Sequence, residues 1–497
     1  MASTVTGRKT NLYIAAFTAN IAFSSCGCCL AWTSPTLPPL MTAESWLQVT
    51  VEQSSWVGSL IAVGGCVGPL LAGRLLDLVG RKISLLFNMA LLLVAWSVLM
   101  TAHAVWMLYL GRLLTGVAVG LIFMAVPLYI AEITEDNDRE ALCSLNELFL
   151  AAGFVTAYGA GPYLSYHELI IVCVIMPVVF LMIFVWMPES PHYLLSKGKR
   201  QETIKILQWL RGGVPEDCIE KELIEIQALL DSSANQLTLK GICKSRGGLR
   251  ALHLTCGLIF IQQFSGINAV QFYTQQIFAR ASDARALSPS TACVLLGAVQ
   301  AVSAIFTPAI VKYLGLKWPL IVSGVGITVS HFMLGLYYFL DNSGYNVDCI
   351  QLLPVISLLS FTFFFCFGFG PLPWAIMGEM FPPNMKAMSS AFVTSFCFAL
   401  MFFITKFFSN FSLIMGSHSS FWLFSFLSLL GTIFTAVYLP NTKGMSLQDI
   451  QDLLNDKYKA TSAPVDEKGK LYNIVPVPAK QSMEEDHQLA DTIQVIV

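Results

Sequence analysis

The sequence predicts an all-α membrane protein with twelve transmembrane helices in two six-helix halves and a cytoplasmic helical linker between the halves. Three observations support this prediction. Only 12% of the 497 residues are charged and 55% are hydrophobic, whereas a soluble domain carries roughly 25% charged residues. Twelve apolar stretches have the length of a membrane span, about 20 residues each. A polar block, residues 190–248, separates the first six stretches from the last six.

The apolar stretches define the predicted elements in chain order. Their centres lie near residues 21, 64, 93, 119, 152, 177, 263, 302, 329, 363, 399 and 430. The fifth and seventh stretches carry the most polar groups. The polar block is predicted to be helical, because "RQETIKILQWLRGG" and "IEKELIEIQALLDSS" repeat apolar residues at helical spacing. The predicted divisions are a cytoplasmic N-terminus (1–11), a first half (12–189), the linker (190–248), a second half (249–440) and a largely disordered cytoplasmic tail (441–497).

The distribution of positive charge predicts the orientation in the membrane, because Lys and Arg concentrate in cytoplasmic loops. With the N-terminus inside, the short inner loops hold Arg74, Arg81, Lys82, Arg139, Lys312, Lys317, Lys386 and Lys443. Both termini and the linker are therefore predicted to be cytoplasmic, in a multi-pass protein of the cell membrane. Lys406 lies 20 residues after Lys386, about 30 Å along a helix. We expect it at the outer interface, with its ammonium group reaching water.

Loop motifs recur between the two predicted halves. Glu132 precedes Arg139 by seven residues, and Glu379 precedes Lys386 by seven. Two six-span halves with matching inner loops are typical of transporters built from parallel repeats, which bind substrate between the halves near the membrane midplane.

Composition and motifs disfavour other classes of function. A net charge of −2 offers no basic field for nucleic acid, and the sequence lacks a GxxxxGKS/T loop for ATP. The 13 cysteines fall mostly inside apolar stretches without a CxxC…CxxC pattern, which favours buried free thiols over a metal site. The protein is therefore predicted not to be an enzyme, and no catalytic residue, cofactor or metal is expected.

Six motifs, each at a defined topological place, make the chain similar to a known family. They are "GRLLDLVGRK" (73–82), "VPLYIAEI" (126–133), "PESPHYLL" (188–195), "QQFSGINAVQFY" (262–273), "GFGPLPWAIMGEMFP" (368–382) and "LPNTKGMSLQDIQ" (439–451). With them the chain resembles the sugar porters of the major facilitator superfamily, and it looks most like the insect facilitated trehalose/hexose transporter branch. The resemblance implies the major facilitator fold, a neutral sugar as substrate and alternating access between two halves.

The stretch "QQFSGINAVQFYTQQIF" (262–278) places six amide side chains inside a predicted span. An amide left unpaired in hydrocarbon is costly, but amides can bind sugar hydroxyls without a charge that must be desolvated. By resemblance, Gln262, Gln263 and Asn268 face the cavity and hold the sugar. Gln271 and Gln275 lie one helical turn apart, and they either join this set or bond to neighbouring helices.

The resemblance also assigns aromatic residues to the cavity. Phe272 and Tyr273 match the pair that closes the outer gate. Trp374 follows Pro371 and Pro373, which allow the helix to bend or unwind. We expect its indole beneath the sugar, where it can stack on C–H groups.

Several cavity positions depart from the family pattern. Glu147 stands where span five usually offers Gln, and Gln300 stands where span eight usually offers Asn. Both are assigned to the sugar site. Span eleven carries Cys397 and Phe398 at the usual Asn-Trp positions, so the cavity differs from that of typical family members.

Charged residues are expected on or near the cytoplasmic face. Orientation alone accounts for Lys82 and Lys443. For the others, the resemblance implies an inner gate, whose ion pairs between the halves form in the outward-facing state and break in the inward-facing state. The inner-gate set is Arg74, Asp77, Arg81, Arg112, Glu132, Arg139, Glu189, Glu379 and Lys386.

Three mechanisms remain open. Cys29 aligns with the position where proton-coupled members hold Asp, and a buried thiol stays neutral, which favours facilitative uniport of a hexose or trehalose. A proton-coupled symporter could instead use Glu147, and a non-transporting sensor would bind sugar and signal. The expected partners are a neutral sugar and the lipid bilayer, without nucleic acid or ATP, and the protein is expected to be a monomer.

Overall fold

The computed structural model describes residues 9–455, apart from 43, 234–238, 282–288, 444 and 446. Nearly all of the described part is helical. The first seven helices are α1 (Thr10–Ala31), α2 (Thr33–Leu40), α3 (Val51–Val79), α4 (Arg81–Met100), α5 (Val105–Ile133), α6 (Asp136–Ala160) and α7 (Tyr166–Phe184). They provide the first six membrane spans, because α1 continues into α2 as a single stretch, Thr10–Leu40.

Four shorter helices follow in the polar block: α8 (Pro191–Ser196), α9 (Arg200–Leu210), α10 (Glu216–Ser233) and α11 (Leu239–Lys244). Their apolar faces form a small core of their own, which includes Leu207 and Leu223. Arg211 attaches this unit to the bundle, since its guanidinium donates to the Ile133 carbonyl at 3.0 Å and pairs with Glu222 at 2.5 Å. We call this end of the bundle the linker side and the opposite end the far side.

The remaining helices are α12 (Arg246–Phe264), α13 (Ile267–Ala281), α14 (Pro289–Leu314), α15 (Lys317–Asn342), α16 (Leu353–Phe367), α17 (Leu372–Met380), α18 (Pro383–Met415), α19 (Ser417–Tyr438) and α20 (Leu447–Leu454), with a 3-10 turn at Asp348–Ile350. Spans seven and ten are each built from two helices, α12 with α13 and α16 with α17. The short α20 returns to the linker side, where Gln451 donates to the Met380 carbonyl at 2.8 Å.

The predicted twelve-span architecture is confirmed. Within the described residues, eleven helical stretches are long and apolar enough to cross a membrane. The twelfth span is the α12–α13 segment, which is interrupted at Gly266 and carries the amides noted in the sequence. Its polarity and its break explain why it does not read as a continuous apolar helix.

Helix starts on the far side follow from local sequence. Thr50 caps α3 through a reciprocal pair, in which Gln53 N–H donates to Thr50 Oγ1 at 3.2 Å and Thr50 N–H donates to Gln53 Oε1 at 3.0 Å. Ser165 and Glu168 repeat this arrangement at the start of α7. Each pair satisfies N–H groups that a helix leaves unbonded at its start.

Two interruptions shape the second half. Gly266 has a φ of +84°, which an L side chain rarely adopts, and a Cβ there would lie 2.6 Å from Phe424. Span ten breaks at residues 368–371, which include Pro371 and lie just before Pro373. This break confirms the expected bend. Both interruptions free backbone carbonyls inside the bundle, and these carbonyls need donors.

Candidate functional site

The three amides assigned to the sugar lie together at the break in span seven. Gln262, Gln263 and Asn268 are 3%, 5% and 7% exposed, respectively. Asn268 Nδ2 donates to Gln263 Oε1, and Gln263 Nε2 donates to Gln262 Oε1 at 3.3 Å and to the Cys397 sulfur at 3.0 Å. The amides thus form one hydrogen-bonded row that reaches span eleven.

Gln262 has a second set of partners. Its Nε2 donates to the carbonyls of Phe369 and Gly370, at 2.8 and 2.7 Å. Both carbonyls belong to the break in span ten, so this side chain joins the two broken helices. An amide nitrogen has two N–H groups, and both are engaged here. The partners of Gln263 and Asn268 are side chains rather than backbone carbonyls, so these two amides can exchange their partners for a ligand more readily than Gln262 can.

An aromatic cluster lies next to this amide row. The Phe123 ring is 6.0 Å from Trp374, 5.8 Å from Phe398 and 5.2 Å from Phe23. Trp374 also packs in a cluster with Cys397, the partner of Gln263. Phe23 and Phe123 come from spans one and four, whereas Trp374 and Phe398 come from spans ten and eleven. The cluster therefore connects the two halves of the protein.

The other residues assigned to the cavity are not part of the amide row or the aromatic cluster. Glu147 is half-buried on α6, with the Cys366 thiol of span ten within electrostatic reach. Gln300 is 5% exposed on α14, and among the described residues its Oε1 has no hydrogen-bond partner. Cys29 is fully buried on α1, and its carbonyl accepts a hydrogen bond from Arg112 at 2.7 Å.

The two halves are in contact on the far side, at the predicted outer gate. Phe272 and Tyr273 are buried, and the Tyr273 hydroxyl donates to the Thr405 carbonyl at 3.0 Å. A Cβ on Gly58 of α3 would lie 3.5 Å from that hydroxyl. The Tyr158 hydroxyl of α6 donates to the Gln271 carbonyl at 2.7 Å. The aromatic pair thus lies where span seven closes against the first half.

Lys406 also lies in this contact, so the prediction that it reaches water at the interface is wrong. It is 8% exposed. Its Nζ donates to Ser55 Oγ at 2.8 Å and lies 4.1 Å from the centre of the Trp56 ring. Both partners are on α3, in the other half of the protein. A lysine inside the apolar stretch of span eleven is a sequence signal of function that could have identified this residue.

Arg112 does not lie at the predicted inner gate. Its guanidinium is fully buried, and it donates to the carbonyls of Val57 and Cys29 at 3.1 and 2.7 Å. The Trp32 ring lies 5.4 Å away. Arg112 is 20 residues before Glu132 on the same helix, a separation of about 30 Å. It therefore lies towards the far side and ties α5 to α1 and α3.

Arg81, Glu132 and Glu189 form a compact network on the linker side. Arg81 pairs with Glu132 at 2.7 Å, and Glu189 Oε1 accepts the Arg81 backbone N–H at 2.9 Å. All three residues belong to the first half, which contradicts the expectation that this set pairs between halves. Burial raises the pKa of the Glu189 carboxyl, although backbone N–H groups of Ser190, Lys82 and Arg81 oppose that shift.

The other members of the predicted inner gate lie mostly at the surface of the protein. Arg74, Asp77, Arg139 and Lys386 are exposed. Asp77 lies 3.6 Å from Arg81, and Glu379 accepts a hydrogen bond from the Thr442 hydroxyl at 3.1 Å. Arg139, Glu379 and Lys386 lie within electrostatic reach on the linker side. Their gating role stays a prediction.

A family model described as "Sugar (and other) transporter" matches residues 39–454. The chain belongs to this family. Sugar porters of the major facilitator superfamily are not enzymes, and this chain is a multi-pass sugar transporter of that kind.

Its relatives place it in the insect trehalose branch. It is 30% identical over 463 residues to a facilitated trehalose transporter of Culex quinquefasciatus, covering 93% of this chain and 89% of the relative. It is also 30% identical to the facilitated trehalose transporter of Polypedilum vanderplanki, with 93% and 91% covered. The resemblance noted in the sequence motifs is therefore confirmed.

Solved structures support the same fold. The xylose transporter XylE from E. coli, in a partially occluded inward open conformation, superimposes with a TM-score of 0.73 at 21% identity, over 88% of this chain and 100% of that one. The proton:xylose symporter XylE bound to 6-bromo-6-deoxy-D-glucose gives 0.74 at 20% identity, over 90% and 99%. At this identity the likeness concerns the fold alone.

Proposed function

We propose that this protein is a facilitative uniporter that moves a hexose or trehalose by alternating access. The observation that carries the proposal is the row of amides beside a cluster of aromatic rings, at the meeting of the two halves. Gln263 and Asn268 offer donors and acceptors for sugar hydroxyls. Trp374 and Phe123 offer ring faces for the C–H side of a sugar.

In the proposed cycle, the far side faces the exterior of the cell and the linker side faces the cytoplasm. The contacts of Phe272, Tyr273 and Lys406 with the first half separate when the cavity opens outward. The aromatic cluster around Phe123 separates when the cavity opens inward. A monomer in the cell membrane, with both termini cytoplasmic, is sufficient for this motion.

Uniport is supported by the residue at position 29. Cys29 replaces the acid of proton-coupled relatives, and its backbone rather than its side chain engages Arg112. A proton-coupled mechanism is supported by one observation, the carboxyl of Glu147 on α6 near Cys366. A neutral Glu presents one donor and one acceptor, as a sugar-binding Gln does, so this carboxyl also fits uniport.

Uptake by proteoliposomes separates these mechanisms. The purified chain is given labelled glucose, fructose or trehalose, with and without an imposed pH gradient. Equilibration to equal concentrations, unchanged by the gradient and by Glu147→Gln, is the expected result. Accumulation driven by protons and lost in Glu147→Gln would overturn uniport in favour of symport. Saturable binding without uptake would indicate a sensor.

A further inference from the structure

His331 lies beside the break in span seven. The residue is fully buried on α15, and its Nε2 is 2.7 Å from the Ser265 carbonyl oxygen. A carbonyl oxygen can only accept, so Nε2 must carry the proton and donate. The imidazole stacks on Phe361 of span ten at 4.3 Å. This histidine therefore contacts the backbone of one broken helix and a side chain of the other.

The break leaves carbonyls that a continuous helix would bond internally. The Ser265 hydroxyl donates to the Gln262 carbonyl at 2.6 Å, and the Gly266 N–H donates to the Gln263 carbonyl at 3.2 Å. Those two carbonyls are thus satisfied locally. The Ser265 carbonyl, by contrast, takes its donor from a different helix, through His331. This long-range bond therefore connects the chain between Gln263 and Asn268 to α15.

Nε2 is the ring nitrogen through which His331 forms a hydrogen bond. Within the described part of the chain, Nδ1 has no hydrogen-bond partner, and the rings of Phe421 and Phe424 lie 5.8 Å away. Phe424 also fills the space beside Gly266. A Phe at position 331 would keep the aromatic packing and remove the donor. Position 331 therefore allows the hydrogen bond to be tested separately from the packing.

We propose that His331 is a positioning residue for the sugar site: it fixes the break of span seven so that Gln263 and Asn268 present their amides to the same ligand. This inference rests on the proposed sugar-binding role of those amides. It adds a residue that would touch no sugar, on a helix outside the site. Loss of the Ser265 bond would leave a buried carbonyl unpaired, and the two amides would then no longer be held in one geometry.

The test compares three variants of the full-length protein in proteoliposomes. His331→Phe keeps the ring and loses the donor. In His331→Gln the amide nitrogen is as many bonds from Cα as Nε2 is, so the donor is restored. His418→Phe is the matched control, because His418 packs against Phe339 and Trp422, away from the break.

We expect His331→Phe to raise KM about tenfold, the effect of one unpaired buried polar group, with kcat changed far less. His331→Gln should stay within about threefold of the parent, and His418→Phe should match the parent. A merely structural role would lower the amount of folded transporter without moving KM. Equal KM values for His331→Phe and the parent would overturn the proposal, as would an equal loss in the Phe and Gln variants.

Hydrogen exchange of peptides covering 262–271 provides a readout independent of transport. Faster exchange in His331→Phe than in His331→Gln would support the role of the bond in fixing the break, and equal exchange would refute it. A parent that neither binds nor transports any sugar would refute the proposed function, while exchange still decides the role of His331. If His331→Phe does not fold, His331→Asn replaces it, because its shorter side chain keeps polarity but cannot place a donor at Ser265.

Discussion

Replacing Lys406 by Met should favour opening of the far side. The ammonium group joins the two halves by a hydrogen bond to Ser55 and by its position over the Trp56 ring, at 2.8 and 4.1 Å. Met keeps much of the volume and removes the charge and the donor. Outward opening must break both contacts, so their loss destabilises the closed state relative to the open state.

The size of the effect follows from the two contacts. A hydrogen bond from a charged donor is worth about 1.5–3 kcal/mol, and a desolvated cation–π contact is worth about 2 kcal/mol. The ammonium group regains water when the far side opens, which offsets part of this sum. A net loss of about 2 kcal/mol corresponds to a roughly 30-fold rise in the ratio of open to closed protein.

Labelling of a cysteine placed at a buried serine position measures this ratio. Ser59 lies one turn below Ser55 and is fully buried, so a Ser59→Cys variant reacts with an impermeant maleimide only when the far side opens. Its labelling rate follows the open fraction when the reaction is slower than opening. Lys443→Met is the matched control, because Lys443 bonds to the Tyr313 carbonyl on the linker side. The protein without Ser59→Cys measures the background from native thiols such as Cys349.

The effects of Lys406→Met and Ser55→Ala on labelling should not be additive. Ser55→Ala alone is expected to raise labelling about fivefold, and combining it with Lys406→Met should add little, because both changes remove the same hydrogen bond. Parent-like labelling in Lys406→Met would refute the role of Lys406 in holding the far side closed. Strictly additive effects of the two substitutions would show that Lys406 does not hold the far side closed through its bond to Ser55.

Three further outcomes are expected. Trp374→Leu should weaken sugar affinity roughly threefold to tenfold through lost ring contact, measured as KM for uptake; an unchanged KM would remove Trp374 from the cavity. Gln263→Leu should weaken sugar affinity by about 1–3 kcal/mol, whereas Gln271→Leu should leave it unchanged. Equal losses of affinity in the two variants would contradict the assignment of Gln263, but not Gln271, to the sugar site. Glu132→Gln should lower the thermal unfolding midpoint because Arg81 loses a buried partner, whereas Asp77→Asn should leave it unchanged, since Asp77 is 69% exposed; equal shifts would contradict this account.

Local signals in the sequence are sufficient to predict the fold. Apolar runs of span length and a polar block between two sets of six define the elements, and prolines at 371 and 373 indicate the bend in span ten. The amides at 262, 263 and 268 indicated a polar site within the membrane. These features depend on residues that are close in the chain, and such features can be read from one sequence.

Partners distant in sequence could not be read in this way. Gln262 bonds to carbonyls more than 100 residues away, and Lys406 bonds to Ser55 across 351 positions. The position of Arg112, by contrast, follows from a local signal, because 20 residues separate it from Glu132 on one helix and the two cannot share an end. The family resemblance implied ion pairs between the halves, but the geometry places the pair of Arg81 with Glu132 within one half.

The positions of the polar groups have a common cause. A broken helix exposes carbonyls inside a membrane protein, and each must find a donor. Gln262 supplies donors to the break in span ten, and His331 supplies one to the break in span seven. Once Gln262 and the backbone are satisfied in this way, Gln263 and Asn268 are held beside the break by mutual bonds, which a sugar hydroxyl replaces in the proposed function. The two breaks thus also account for the amide-rich stretch at the centre of the second half.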